Sequence, residues 1–247
     1  MIEIKSEREI SFIEHSGRIV RVVLEEVKKI SSPGITTEEL DKKAEEIIKS
    51  FGARSAFKGY KGFPANICTS INEEVVHGIP SKRKLKLGDI LSIDVGVEKD
   101  GFYADAAITI DIGNSATQGA KKLMRVTEEA LYNGIKKAVE GNRLFDISNA
   151  IQRCAERAGY SVVRDFVGHG IGRKMHEDPE IPNFGTAGTG PRLKKGMVLA
   201  IEPMVNEGSH EIDILGDRWT AVTKDRRLSA HFEHTVSVGE NDPKILT

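Results

Sequence analysis

Near the start of the chain, apolar residues recur at helical spacing. Ile10, Ile13, Gly17, Val20, Leu24 and Val27 step by threes and fours along one face, which predicts an amphipathic helix. The breaker run Ser31, Ser32, Pro33 and Gly34 ends it. Thr36 and Glu39 then stand at capping-box spacing ahead of a second apolar face, Leu40, Ala44, Ile47 and Phe51, which closes at Gly52. In the second half, Leu123, Val126, Ala130, Leu131, Ile135 and Ala138 form a third face, broken near Gly141 and Asn142. A fourth follows in Ile147, Ile151, Cys154 and Ala158, with Gly159 at its stop. Each of these five positions lies 107 residues beyond its counterpart in the second helix (147 − 40 = 107), although the capping box is not repeated.

Strand patterns follow each helix pair. "DILSIDVGVEKDGFYADAAITI" reads as two strands around a turn at Asp100 and Gly101, a strong hairpin signal. With those two residues as the loop, Asp94 faces Ala107 and lies diagonally from Asp105 on the same side of the sheet. In the second half, "LKKGMVLAIEPM" repeats the pattern of "LKLGDILSIDVG" and carries Glu202 where the first has Asp94, 108 residues further on (202 − 94). The strand-like "DRWTAVTKDRRLSAHFEHTVSV" carries Glu233, with alternation like that around Asp105. A duplicated helix, helix, strand, strand unit is therefore expected, about 11–110 and 119–238, forming one pseudo-symmetric α+β domain over 1–247.

Composition narrows the function. The 247 residues are 39% hydrophobic, enough for a sizeable core, and 36 basic against 37 acidic residues leave a net charge of −1. No global field points toward nucleic acid or an anionic membrane. The first residues are charged, without the apolar run of a signal peptide, and no stretch approaches a membrane span, so a cytoplasmic protein is expected. Cys68 and Cys154 lie far apart, outside CxxC spacing, and read as reduced thiols.

The acids carry the chemistry. Asp94, Asp105, Glu202 and Glu233 all sit in apolar, strand-like settings, where an isolated carboxylate costs several kcal/mol. Two like charges at about 4 Å repel by about 4 kcal/mol at an effective dielectric of 20, and four carboxylates make about six such pairs. A domain with about 5–15 kcal/mol of net stability does not hold that cluster bare. His169, between glycines in "GHGIG", lies where backbone can approach closely. One imidazole with four carboxylates suits a two-metal site about 3.5–4 Å across. Oxygen-rich ligation disfavours structural zinc, which prefers thiolates and imidazoles.

The segments "NEEVVHGIP", "SIDVG", "GFYADAA", "GHGIG", "MHEDP", "LAIEPM" and "SAHFEHT", in this order, resemble the type I methionine aminopeptidases. The resemblance implies the pita-bread fold, an antiparallel sheet covered by two helix pairs about a pseudo-two-fold axis. It implies two divalent metal ions (Co, Mn, Fe or Zn). Asp94 would chelate the first, Asp105 and Glu233 would bridge both, and His169 and Glu202 would hold the second. His77 would bond the substrate near the scissile peptide, His176 would contact its carbonyl, and Glu202 would carry the proton from water to the leaving amine. The free amino group of the substrate would ligate a metal.

By the same resemblance, Phe57, Tyr60, Phe63, Cys68, Met175 and Trp219 would form the slot for the methionine side chain. The best-known bacterial pattern has Cys, Tyr and Phe where Phe57, Phe63 and Met175 stand, all apolar or soft exchanges. Asn72 and Ser229 match positions that contribute to a monovalent-cation site. His231 stands where Gln is usual, two residues before Glu233, and its role is left open. The implied activity is removal of the initiator methionine from nascent chains when the second residue is small. N-terminal Met peptides are the expected partners of a monomeric enzyme, with ribosome association left open.

Several features are set aside. Glu177, Asp178 and the Lys-rich run at 82–86 read as solvated surface, and "GTAGTG" at 185–190 lacks the context of a phosphate loop and reads as a flexible loop. Aminopeptidase P and prolidase share the five-ligand arrangement but usually carry a long domain ahead of it, whereas the first ligand here is at 94. Non-enzymatic pita-bread proteins have lost their ligands. The 31 residues from Glu202 to Glu233 (233 − 202) leave no room for the helical insertion of type II enzymes.

Overall fold

A computed structural model describes residues 2–247. Helix α1 spans Glu7–Ile30, and Ser6 with Glu9 forms a capping box at its start. It buries Ile13, Val20, Val23, Leu24 and Val27. Gly17 on that face is held by contact rather than by helix geometry, since a Cβ there would lie 2.1 Å from the carbonyl oxygen of Leu246. Helix α2, Thr37–Ser50, carries the Thr36/Glu39 box and buries Leu40, Ala44 and Ile47. Phe51 departs from the expected face: it caps the helix and is exposed, because the stripe has run past the last turn.

Helix α3 spans Gln118–Ile135, and Ala138 is buried in the turn beyond it. Helix α4, Leu144–Arg157, buries Ile147 and Ile151, but its last core position is Ala155, with Cys154 only half-buried at the edge. Half of a capping box recurs here after all, since the Asp146 carboxylate accepts from the Arg143 backbone N–H at 2.8 Å.

Among the described residues, the main sheet has nine antiparallel strands. They are β1 (Arg54–Ser55), β2 (Cys68–Ile71), β3 (Ile90–Lys99), β4 (Phe102–Asp111), β5 (Val167–Gly170), β6 (Glu177–Pro182), β7 (Val198–Ile201), β8 (Glu233–Ser237) and β9 (Lys244–Ile245). The order is β1-β3-β4-β8-β7-β5-β6, with β2 also on β3 and β9 also on β8. Asp100 and Gly101 join β3 to β4 with φ of 55° and 82°, the paired positive values of a tight hairpin turn. The two central strands, β4 and β8, come from opposite halves of the chain.

Each helix pair covers its own core. Helices α1 and α2 pack with Ile93, Val95 and Val97 of β3, whereas α3 and α4 pack with Leu199 and Ile201 of β7 and Val236 of β8. Each fully buried aliphatic side chain contributes about 1.5–3 kcal/mol.

The long segment ahead of Glu233 does not run as one strand. Ser229–His231 pairs with Met204–Asn206, β8 pairs with β7, and both partners break together, at Phe232 and at Glu202-Pro203. Pro203 has no N–H to give a ladder, and its carbonyl accepts instead from Phe232 N–H at 3.3 Å. Glu202 is therefore released from the ladder where the halves of the sheet meet.

Candidate active site

Register decides where the acids point. Cys68 of β2 lies opposite Asp94 of β3, Asp94 opposite Ala107 of β4, and Ala107 opposite Glu233 of β8. Asp105, two residues before Ala107, shares its side of β4. His169 of β5 is opposite Ala200 of β7, and glycines flank it because the backbone there is crowded. A Cβ at Gly168 would come 2.4 Å from Ala200 O, and one at Gly170 2.1 Å from Asp178 O.

These side chains line one cavity of about 320 Å³. At its polar end are Asp94, Asp105, His169, Glu202 and Glu233, and His77 and His176 also border it. Its apolar wall contains Phe57, Tyr60, Phe63, Cys68, Met175 and Trp219. Phe63 and Trp219 meet edge to face with ring centres 5.1 Å apart. Burial, and then Asp94, push the Cys68 thiol well above its ordinary range, so it stays protonated and serves as apolar wall.

The polar end is short of partners. His169 Nε2 lies 3.4 Å from Asp105 and 3.7 Å from Glu202, and Asp94 Oδ1 is buried without a hydrogen-bond partner. Burial, reinforced by Asp105 and Glu202 against the pull of His231, raises Asp94 to about 7. Burial followed by repulsion from Asp105, Glu202 and Asp94 raises Glu233 well above the carboxylate range. Burial alone would lower His169, but the Asp105 hydrogen bond and carboxylate charge carry it up to about 9.

An orphaned buried oxygen beside mutually repelling carboxylates is the state of a site built for cations. Donor atoms of the buried Asp105, His169 and Glu233 lie within 4.8 Å of one another and can hold a metal ion. The oxygen-rich donor set fits divalent cations rather than a thiolate-type structural zinc.

The two remaining histidines are neutral. Burial lowers His77 to about 4, with His231 contributing, and burial followed by His169 lowers His176 to about 4. His77 has a φ of 60°, a left-handed backbone that costs a non-glycine residue about 1–3 kcal/mol, and its ring lies edge-on to Phe166 at 5.1 Å. His176 Nδ1 is 2.9 Å from the Tyr60 hydroxyl, and the two rings stack.

Several residues here were not anticipated. Lys61 lines the cavity from a short 3-10 turn, Val76 and Val167 from strand ends, and Asp165 and Phe166 from a loop with no periodic signal. Thr235 donates to Asp105 Oδ1 at 3.0 Å and steadies that carboxylate. Its place two residues beyond Glu233 on the same strand face was the available clue. Asn72 and Ser229 are joined by a 2.9 Å bond from Ser229 N–H to Asn72 O, while their side chains are engaged by Ile90, Asp89 and Asn206.

Two surface expectations are corrected. The Glu177 side chain is buried and receives the Lys5 ammonium at 2.6 Å. The 185–190 loop is pinned to α4, with Gly188 N–H on Asp146 at 2.7 Å and Gly190 O accepting from Arg143 at 2.8 Å.

Buried carboxylates and an imidazole at the meeting of two helix-covered half-sheets define a metallopeptidase of the pita-bread type. The chain belongs to metallopeptidase family M24, whose profile matches residues 11–240. It is 56% identical over 247 residues to a methionine aminopeptidase of Clostridium perfringens, covering 100% of this chain and 99% of the relative. It is 53% identical to methionine aminopeptidase 1 of Bacillus subtilis, again over 100% and 99% of the two chains. The crystal structure of the methionine aminopeptidase of Thermotoga maritima superposes with a TM-score of 0.98 at 49% identity, covering 100% of this chain and 99% of that one.

Proposed function

We propose that the protein is a methionine aminopeptidase that removes the initiator methionine from nascent chains, favouring a small second residue. The observation that carries this reading is the single cavity joining an apolar slot, closed by Phe63 and Trp219, to the carboxylate centre. The slot takes an unbranched thioether side chain and sets the adjoining peptide bond beside the acids.

Asp94, Asp105, His169, Glu202 and Glu233 would hold two divalent ions. When bound, such ions supply Lewis acidity toward water and the scissile carbonyl, and a seat for the free amine of the substrate. Glu202 takes a proton from the attacking water as its oxygen bonds to the carbonyl carbon. Glu202 then passes that proton to the amine as the C–N bond breaks. His77 donates to the substrate near the scissile peptide. His176 faces its carbonyl oxygen: with the Tyr60 hydroxyl donating to Nδ1, the Nε2–H is free to stabilise the developing negative charge.

The reading extends to a single catalytic domain built by duplication of 11–110 and 119–238, working as a monomer in the cytoplasm on nascent chains at the ribosome. Co, Mn, Fe or Zn suits the donor set, and a monovalent cation beside Asn72 and Ser229 would draw on main-chain carbonyls. No helix among the described residues is long and apolar enough to cross a membrane.

The test is methionine release from Met-Ala-Ser with Mn, Fe or Co added, beside an Ala-Pro peptide and the Asp105→Ala variant. Metal-dependent release from Met-Ala-Ser alone, lost in the variant, is expected. Cleavage restricted to X-Pro bonds, or binding without cleavage, would overturn the reading.

A further inference from the structure

His231 is a buried side chain beside Glu202 to which the mechanism gives no task. It is 1% exposed, and its backbone is fixed from both sides by one residue: Thr109 Oγ1 donates to His231 O at 2.7 Å and accepts from His231 N–H at 2.9 Å. Ser92 completes the chain with a hydroxyl contact to Thr109 at 2.8 Å. The imidazole itself ends in a buried Nε2 with no hydrogen-bond partner. A buried, unsatisfied nitrogen costs about 1–3 kcal/mol, so a ring held this firmly needs an acceptor.

The acceptor within reach is Glu202 Oε2, at 3.5 Å. That is a few tenths of an ångström beyond a formed N–H···O bond, a gap that a small rotation of the Glu202 carboxylate closes. The other oxygen of the same carboxylate, Oε1, is on the His169 side at 3.7 Å. The two oxygens are thus divided between two imidazoles. Glu202 has left the strand ladder at Pro203, so its side chain depends on its neighbours for orientation.

The geometry points to His231 as a positioning residue for Glu202, its Nε2–H holding Oε2 so that Oε1 stays turned toward His169 and the attacking water. This rests on the assignment of Glu202 as proton carrier. It requires only that Nε2 carries an N–H directed at Oε2. It also means that any residue presenting an N–H donor at the same reach serves, and an apolar residue of similar size does not. Outer partners of metal-binding carboxylates typically contribute about 10–100-fold in affinity or activity.

The experiment compares His231→Gln with His231→Leu. Both are assayed for kcat and KM on Met-Ala-Ser and titrated with Mn or Co by calorimetry, starting from metal-free protein. The leucine variant is expected to lose about 10–100-fold in kcat with KM within about twofold, and about 10-fold in affinity for one ion. The glutamine variant, whose amide reaches the same oxygen, is expected to recover both to within about threefold. Nitrogen chemical shifts of His231 in the metal-free parent should report the proton on Nε2, a reading that needs neither activity nor a folded variant. An Nε2 without a proton, a leucine variant equal to the parent, or a glutamine variant as impaired as leucine would overturn the inference. Failure of the parent to release methionine would instead overturn the function, leaving calorimetry and tautomer to test His231.

Discussion

Asp94 and Asp105 reach the same face of the sheet from adjacent strands of one hairpin, Asp94 opposite Ala107 and Asp105 opposite Gly96. Among the described residues, neither has a basic side chain in salt-bridge contact apart from the His169 imidazole that faces Asp105. Their proximity is unfavourable while both are charged. Asp94→Asn should therefore have opposite effects in the two states of the protein. Without metal it removes repulsion and should raise stability by about 1–2 kcal/mol. With metal it removes a ligand, weakening divalent-ion binding at least about tenfold and cutting kcat by about 100-fold or more. Denaturant melts with and without Mn, paired with calorimetry, check both signs. Equal metal affinity in parent and variant would contradict the role given to this residue.

His77 supplies a pH prediction. Its folded pKa of about 4 lies below the unfolded 6.5, so between these values the unfolded chain binds the proton and the folded protein does not. The neutral ring's contribution to stability is fully present above about pH 6.5 and is lost as pH falls toward 4. His77→Gln removes this dependence. Relative to the parent, the variant should gain about 2 kcal/mol between pH 7 and pH 5. Urea melts of the two proteins at both pH values measure it, and parallel pH curves would show that the ring is solvated.

Much of this architecture was legible because it is periodic. The spacing that predicts α1 and α2 reports burial directly, and the Asp100-Gly101 turn fixed the register that brings Asp94 and Asp105 to one side. What was hidden depends on partners distant in the chain. Alternation through Phe232 gave no sign that the ladder changes partner there, because the cause is a proline on the other strand, at 203. Glu177 read as surface because its charge is matched by Lys5, 172 residues away. Cys154 was assigned to the core over Ala155, an error of one position in a helix whose stripe drifts around its axis.

The Phe63 and Trp219 contact should set affinity rather than rate. A slot that grips the methionine side chain does so equally before and during the reaction, and such uniform binding appears in KM. Trp219→Ala removes one wall and about 1–3 kcal/mol of apolar contact. Methionine release from Met-Ala-Ser should show kcat/KM reduced by about 10–100-fold, mostly through a raised KM. A fall in kcat at unchanged KM would place the indole at the reacting bond instead.

Lys5 ties the segment ahead of α1 to the loop that carries Met175 and His176. Its ammonium is buried, 2.6 Å from Glu177, whose other oxygen accepts the Lys174 N–H at 3.0 Å. The stem of Lys5 packs against Gly172, where a Cβ would sit 2.4 Å from its Cε. The second partner, Glu3, also at 2.6 Å, is 60% exposed and adds little. Lys5→Met keeps the stem but leaves Glu177 buried without its counter-charge, at a cost of about 3 kcal/mol. The carboxylate should then pull toward water and loosen the turn between Gly172 and Glu177, displacing His176 from the reacting carbonyl. The expected outcome is a lower melting temperature with kcat reduced about tenfold. Lys5→Met combined with Glu177→Gln, which removes the stranded charge, should recover most of the stability. If the double variant melts no higher than the single one, packing of the stem rather than the ion pair holds this loop.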